Sequence, residues 1–152
     1  MNQHFDLQKI TRQNVANKIA GMSLDALNTI PVGLSNNLAW NLGHIIVTQQ
    51  LLLYRLSGVN CRIENEYIER YRKGSRPEGR IEQPELDFLL QQLVITADLA
   101  RVDYQNQHFG TYKPYSTSYG ITLESIEQAI MFNNAHESMH LGTMISIGKL
   151  VG

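Results

Sequence analysis

The segment between Thr122 and Leu150 constrains the rest of the chain most. Ile126, Ala129, Ile130, Asn133, His136, His140, Met144 and Ile147 recur there at spacings that share one side of a helix. They fall in a single arc of a helical wheel at about 100° per residue. A stripe of this kind has to face other helices. Asn133, His136 and His140 nevertheless stand where a plain bundle would place leucine. Burying a polar side chain without a hydrogen bond costs roughly 1–3 kcal/mol. Polar residues inside such a stripe therefore call for a shared reason.

Three further segments carry the helical period. The first, 3–20, places Phe5, Ile10, Val15 and Ile19 at mixed spacing, and Pro31 and Gly33 close the connection behind it. The second, 36–57, has the stripe Leu38, Leu42, Ile45, Leu52 and Leu56, with Ser35 as the expected N-cap and Gly58 in the C-terminal position. The third opens near Pro84, with Glu85 and Asp87 in its first turn, and runs to about Tyr104. The fourth helix is expected from Thr122.

Between the second and third helices, residues 58–83 read as a long polar connection containing YRKGSRPEGR. Loops this long in compact domains are often functional. Residues 108–121, HFGTYKPYSTSYGI, form a second loop with room for a short strand. Four long helices in 152 residues predict one all-α domain over 1–152, a four-helix bundle with a long connection.

A net charge of −1 supplies no basic face for nucleic acid and no attraction to an anionic membrane. The apolar runs IIV and LLL are broken by Thr48, Gln49 and Gln50, far short of the ~20 apolar residues of a membrane span. The opening MNQHFDLQKI has neither the basic nor the apolar region of a signal peptide, so a cytoplasmic location is expected. Cys61 is the sole cysteine and has no partner for an internal disulfide. It reads as a passive small hydrophobe rather than a nucleophile.

His136 and His140 belong to HESMH, which matches the H-E-x-x-H pattern of zinc proteases. Side chains four residues apart on a helix are neighbours, with Cβ atoms ~5–6 Å apart, so a shared metal would explain the pair. Two core histidines bonded to nearby carbonyls or hydroxyls would explain it equally well. A protease site would need a third ligand, and LGTMISIGKLVG offers none. Upstream, His4 is near the start and His108 lies in the tyrosine-rich loop. His44 sits inside the second helix, on a face shared with Asn37, Asn41, Thr48 and Leu51. A rigid helical ligand facing another helix is how bundles build metal sites. His44, His136 and His140 are therefore the expected metal ligands.

Other candidates surround this triad. Glu137 could be a general base or could orient a ligand; a solvated or helix-pairing glutamate is the plain alternative. Asn133 could bond a water or substrate. Trp40, Tyr112, Tyr115 and Tyr119 could line a pocket, although aromatic residues in bundles are usually core. Lys73, Arg76 and Arg80 could catch a carboxylate.

The stretch WNLGH, Trp40 to His44, with the leucine-rich helix after it resembles the second helix of the DinB-like superfamily of small bacterial helical bundles. HESMHLG, from His136 to Gly142, resembles that family's final helix, and the run Arg72 to Pro77 also looks like members of the group. The resemblance covers nearly the whole chain. It implies a four-helix bundle with a long crossover and three histidine ligands, matching His44, His136 and His140. The cofactor implied is a divalent transition metal, with zinc first and nickel, iron or manganese as alternatives. Characterised relatives include bacillithiol- or mycothiol-dependent S-transferases and a mycothiol-dependent maleylpyruvate isomerase. Relatives often pair, which makes a homodimer the expectation. Asn41 stands where many relatives carry another histidine or a different polar residue.

The expected function is thus metal-dependent transfer of a small-molecule thiol to an electrophile. The alternatives are a hydrolase using metal-activated water with Glu137 as base, and a non-catalytic bundle with a structural metal. A fourth protein ligand, such as Glu137 or His108, would favour the structural reading.

Overall fold

The computed structural model describes residues 1–152. Four long helices make the bundle: α1 (Asn2–Ile19), α3 (Leu38–Gln49), α5 (Gln83–Gln105) and α6 (Ile126–Val151). Two short helices, α2 (Leu24–Asn28) and α4 (Asn65–Tyr71), lie in the connections. α1 packs against α5 and α6, and α3 packs against the same two. The bundle order is therefore α1–α6–α3–α5, with α1 and α3 on one diagonal. No helix is long and apolar enough to cross a membrane.

The four expected helices are present, with changed ends. Asn37 rather than Ser35 caps α3, its Oδ1 accepting from the Trp40 amide at 2.8 Å. The helical path after Gln49 widens into a π-helical turn, Gln50–Tyr54, then tightens into a 3-10 turn, Arg55–Ser57. It stops at Gly58, whose φ of +71° suits a residue without Cβ.

The last helix starts at Ile126, not Thr122. Thr122 and Leu123 form β2, which pairs antiparallel with β1 (Tyr115–Ser116). Ser125 then caps α6 by accepting from the Gln128 amide, and the Gln128 side chain accepts from the Glu124 amide at 2.7 Å. This reciprocal pair closes the helix start much as a capping box does. The hairpin is the short strand for which the tyrosine-rich loop had room.

Two apolar clusters fill the bundle. One gathers Val15, Ile19, Leu42, Ile46, Leu89, Leu93, Met144 and Ile147. The other gathers Phe5, Leu52, Leu53, Tyr54, Ala100, Ala129 and Ile130. Each long helix carries buried polar residues between the two clusters: Gln8 and Arg12, Gln49, Thr96, and Asn133 and Glu137. A polar layer thus crosses the bundle, and both histidines of α6 lie at its level along the chain.

Candidate metal centre

α3 and α6 are packed neighbours, and their histidines face each other. The ring centroids lie 5.2 Å apart for His44–His136, 4.7 Å for His44–His140 and 4.5 Å for His136–His140. Each contributes one ring nitrogen to a group whose ligand atoms all lie within 4.8 Å of one another.

Two of the three rings are oriented from behind. His44 Nδ1 donates to the Tyr71 carbonyl oxygen at 2.7 Å, since a carbonyl can only accept. That leaves the lone pair on Nε2, with Thr48 Oγ1 3.4 Å away. Trp40 stacks on the same ring at 4.4 Å between centroids. His140 Nδ1 lies 2.7 Å from Asn41 Oδ1. Fixing the remote nitrogen in this way sets tautomer and ring angle, as in known metal-histidine sites.

His136 is different. Its Nδ1 is buried and has no hydrogen-bond partner. An unpaired buried polar atom is costly, and a bound cation is one remedy. The residues therefore fit a divalent metal: neutral imidazoles, two with fixed tautomers, and a third whose polar atom lacks a protein partner.

Burial sets their charge. Desolvation pushes His136 down to about 3, helped by repulsion from His140 and His44. Desolvation also takes His140 down to about 4, with His44 adding to the effect. His44 moves down by burial as well, against the hydrogen bond to the Tyr71 carbonyl. All three are neutral near pH 7, the form that binds metal.

Gly43 explains part of how His44 is held. A Cβ at Gly43 would lie 2.5 Å from the Tyr71 ring. The missing side chain lets α4 dock on α3, and docking brings the Tyr71 carbonyl to His44. Burial moves the Tyr71 phenol upward, and its hydroxyl donates to Glu85 at 2.6 Å.

The histidines open on a cavity of about 340 Å³. Leu51, Leu52 and Leu56 line it from the end of the second helical segment, and Phe132 and Met139 line it from α6. The hairpin region adds Tyr115, Thr117 and Ser118.

A sequence model of the DinB superfamily matches residues 9–144. The chain belongs to the DinB superfamily. No curated protein matches it. His44, His136 and His140, the three histidines expected as ligands, are the group that the bundle brings together.

Glu137 and His108 are not part of the histidine group. Glu137 is fully buried, and Oε1 accepts from Gln8 Nε2, Arg12 Nη2 and Asn133 Nδ2, each at 2.8 Å. Arg12 Nε adds a contact to Oε2 at 3.0 Å. Its carboxylate pairs helices α1 and α6, the plain alternative to a general base. Asn133 spends its amide on Glu137. Tyr115 and Lys73 reach the cavity; Tyr112, Tyr119, Arg76 and Arg80 do not line it. Arg80 pairs with Asp25 instead. Cys61 lies outside the cavity lining and donates to the Gln50 carbonyl at 3.5 Å. Burial raises its thiol above the usual range, which suits a passive residue.

Sequence reasoning did not find Arg12, Asn41 as a histidine partner, or Tyr71. Asn41 carried a signal, since it lies on the helix face shared with His44. Tyr71 acts through its backbone, which leaves no side-chain signature.

Proposed function

We propose that this protein is a metal-dependent S-transferase that joins a small-molecule thiol to an electrophile. The observation that carries the reading is the adjacency of a neutral three-histidine group to a cavity with apolar walls and room for a small organic molecule. His44, His136 and His140 would hold a divalent ion, zinc first, which would supply positive charge that favours the deprotonated form of a thiol at neutral pH. The chain supplies no competing nucleophile, because the Cys61 thiol is partly buried and raised.

His44 and His140 keep their lone pairs on the site through Tyr71 and Asn41. Leu51, Leu56, Phe132 and Met139 give the site apolar walls against which the electrophile packs. In the transfer the thiol proton leaves to solvent, sulfur bonds to the electrophilic carbon, and the leaving group departs with the electron pair. Hydrolysis fits less well, because Glu137, the base it requires, is committed to Arg12.

The test is conjugation of monochlorobimane by zinc-loaded protein, with and without cysteine-derived thiols. Acceleration is expected only with thiol, and His136→Ala should abolish it. Turnover of ester or amide substrates without thiol would replace the transferase by a hydrolase. Silence across a broad thiol and electrophile panel would replace it by a binding role.

A further inference from the structure

The walls of the histidine cavity carry a charge pattern that thiol transfer alone does not require. Arg55 and Lys73 both line it, and no aspartate or glutamate does. Six of the other seven arginines, Arg12, Arg62, Arg70, Arg72, Arg80 and Arg101, have an ion-pair partner; Arg76 does not. Arg55 has no carboxylate partner; its guanidinium lies 3.4 Å from the Asn65 side chain and beside the Cys61 thiol, both outside the cavity lining. The two cations come from separate elements, the 3-10 turn ending the second helical segment and the chain just beyond α4. Both border the cavity walled by Leu51, Leu56, Phe132 and Met139. The histidines cannot supply a balancing negative charge.

We infer that Arg55 and Lys73 form an anion subsite, so that the cavity selects a small organic acid: an apolar body against the leucines and Phe132, and a carboxylate on the two cations. The inference rests on the proposed transferase reading only for which co-substrate the acid is. Guanidinium groups favour carboxylates through paired, charge-assisted hydrogen bonds, and apolar surroundings strengthen them. The cations are solvated when the site is empty, so the preference is moderate, on the order of tenfold.

The binding test uses two probes of one shape, 4-phenylbutanoate and 4-phenylbutan-1-ol, titrated calorimetrically into the full-length protein with and without zinc. The acid should bind about tenfold more tightly than the alcohol in both forms. Arg55→Gln/Lys73→Gln should remove that preference while changing the alcohol's affinity less than about twofold. Equal binding of acid and alcohol by the unaltered protein would overturn the inference. So would no acid binding at millimolar concentration. A preference that survives in the double variant, or appears only with zinc, would place the carboxylate on the metal and overturn it too. None of these readings needs turnover, so failure of the transferase proposal leaves them intact. Where turnover is found, 3-mercaptopropionate against 3-mercaptopropanol, and acidic against neutral electrophiles, show which co-substrate carries the acid. In either arm the double variant should raise KM for the acidic partner about tenfold with kcat little changed.

Discussion

Asn41 and His140 meet across α3 and α6, with Asn41 Oδ1 2.7 Å from His140 Nδ1. The Asn41 amide is committed on its other side, donating to the Asn37 carbonyl at 2.7 Å and to Asn36 Oδ1 at 3.0 Å. Its Oδ1 must therefore accept, His140 carries its proton on Nδ1, and Nε2 keeps the lone pair. Asn41→Leu should weaken zinc binding by about 10–100-fold, the usual cost of losing such a partner. Competition with a chromophoric chelator measures this, and circular dichroism should show the helices intact. Unchanged affinity would mean that another group sets the tautomer.

Gly43 and Gly142 both belong to motif-like stretches, yet they should respond to alanine in opposite ways. At Gly43 the new methyl would press into the Tyr71 ring, whereas at Gly142 nothing lies within 4 Å. Gly43→Ala should cost about 1–3 kcal/mol through overpacking. It should also weaken zinc binding, because displaced α4 takes the Tyr71 carbonyl from His44. Gly142→Ala should stabilise the helix by up to ~1 kcal/mol and leave zinc binding alone. Urea unfolding of both variants decides the point.

The histidine group should make the metal-free protein sensitive to mild acid. His136 and His140 lie at about 3 and about 4 when folded, against 6.5 as the ordinary value. Between these limits the unfolded chain takes up protons that the folded chain refuses. The associated stability is fully present above pH 6.5 and is lost as pH falls toward the folded values, at about 1.4 kcal/mol per pH unit for each histidine. Urea midpoints at pH 7 and pH 5.5 should differ, in a range where ordinary carboxylates stay ionised. His136→Leu/His140→Leu should flatten most of that difference. An equal slope in the double variant would assign it to other groups.

The helices were legible because their apolar stripes are long, and the triad because histidine is conspicuous in such a stripe. α2 and α4 were not, since five and seven residues are too few to show a helical period. The polar layer was hidden for another reason. Arg12 and Glu137 stand 125 residues apart, and a charged residue on a helix ordinarily reads as solvated. Their pairing follows only once α1 lies against α6. The π-helical turn after Gln49 carried no periodic signal either, and its first residue bonds outside the helix: Gln50 Oε1 accepts from the Arg62 amide at 2.6 Å.

Arg12 and Glu137 give the sharpest separation between structure and chemistry. Arg12 is 2% exposed and Glu137 0%, and Arg12 Nη1 also donates to the Leu93 carbonyl and Thr96 Oγ1 at 2.8 Å and 2.7 Å. Three helices, α1, α5 and α6, are thus tied to one guanidinium. Removing the carboxylate alone strands a buried cation, which typically costs about 3–5 kcal/mol. Glu137→Gln should therefore lower the melting temperature by about 10 °C. Arg12→Met/Glu137→Leu should recover part of that loss, because it removes the stranded charge but leaves the buried Gln8 and Asn133 amides without their acceptor. Calorimetry on the two variants and the unaltered protein makes the comparison. Because His136 adjoins Glu137, the single variant should also bind zinc more weakly, and the double variant should regain affinity along with stability. If Glu137→Gln instead melts normally, binds zinc normally and loses only turnover, the carboxylate acts on the substrate and the general-base role returns.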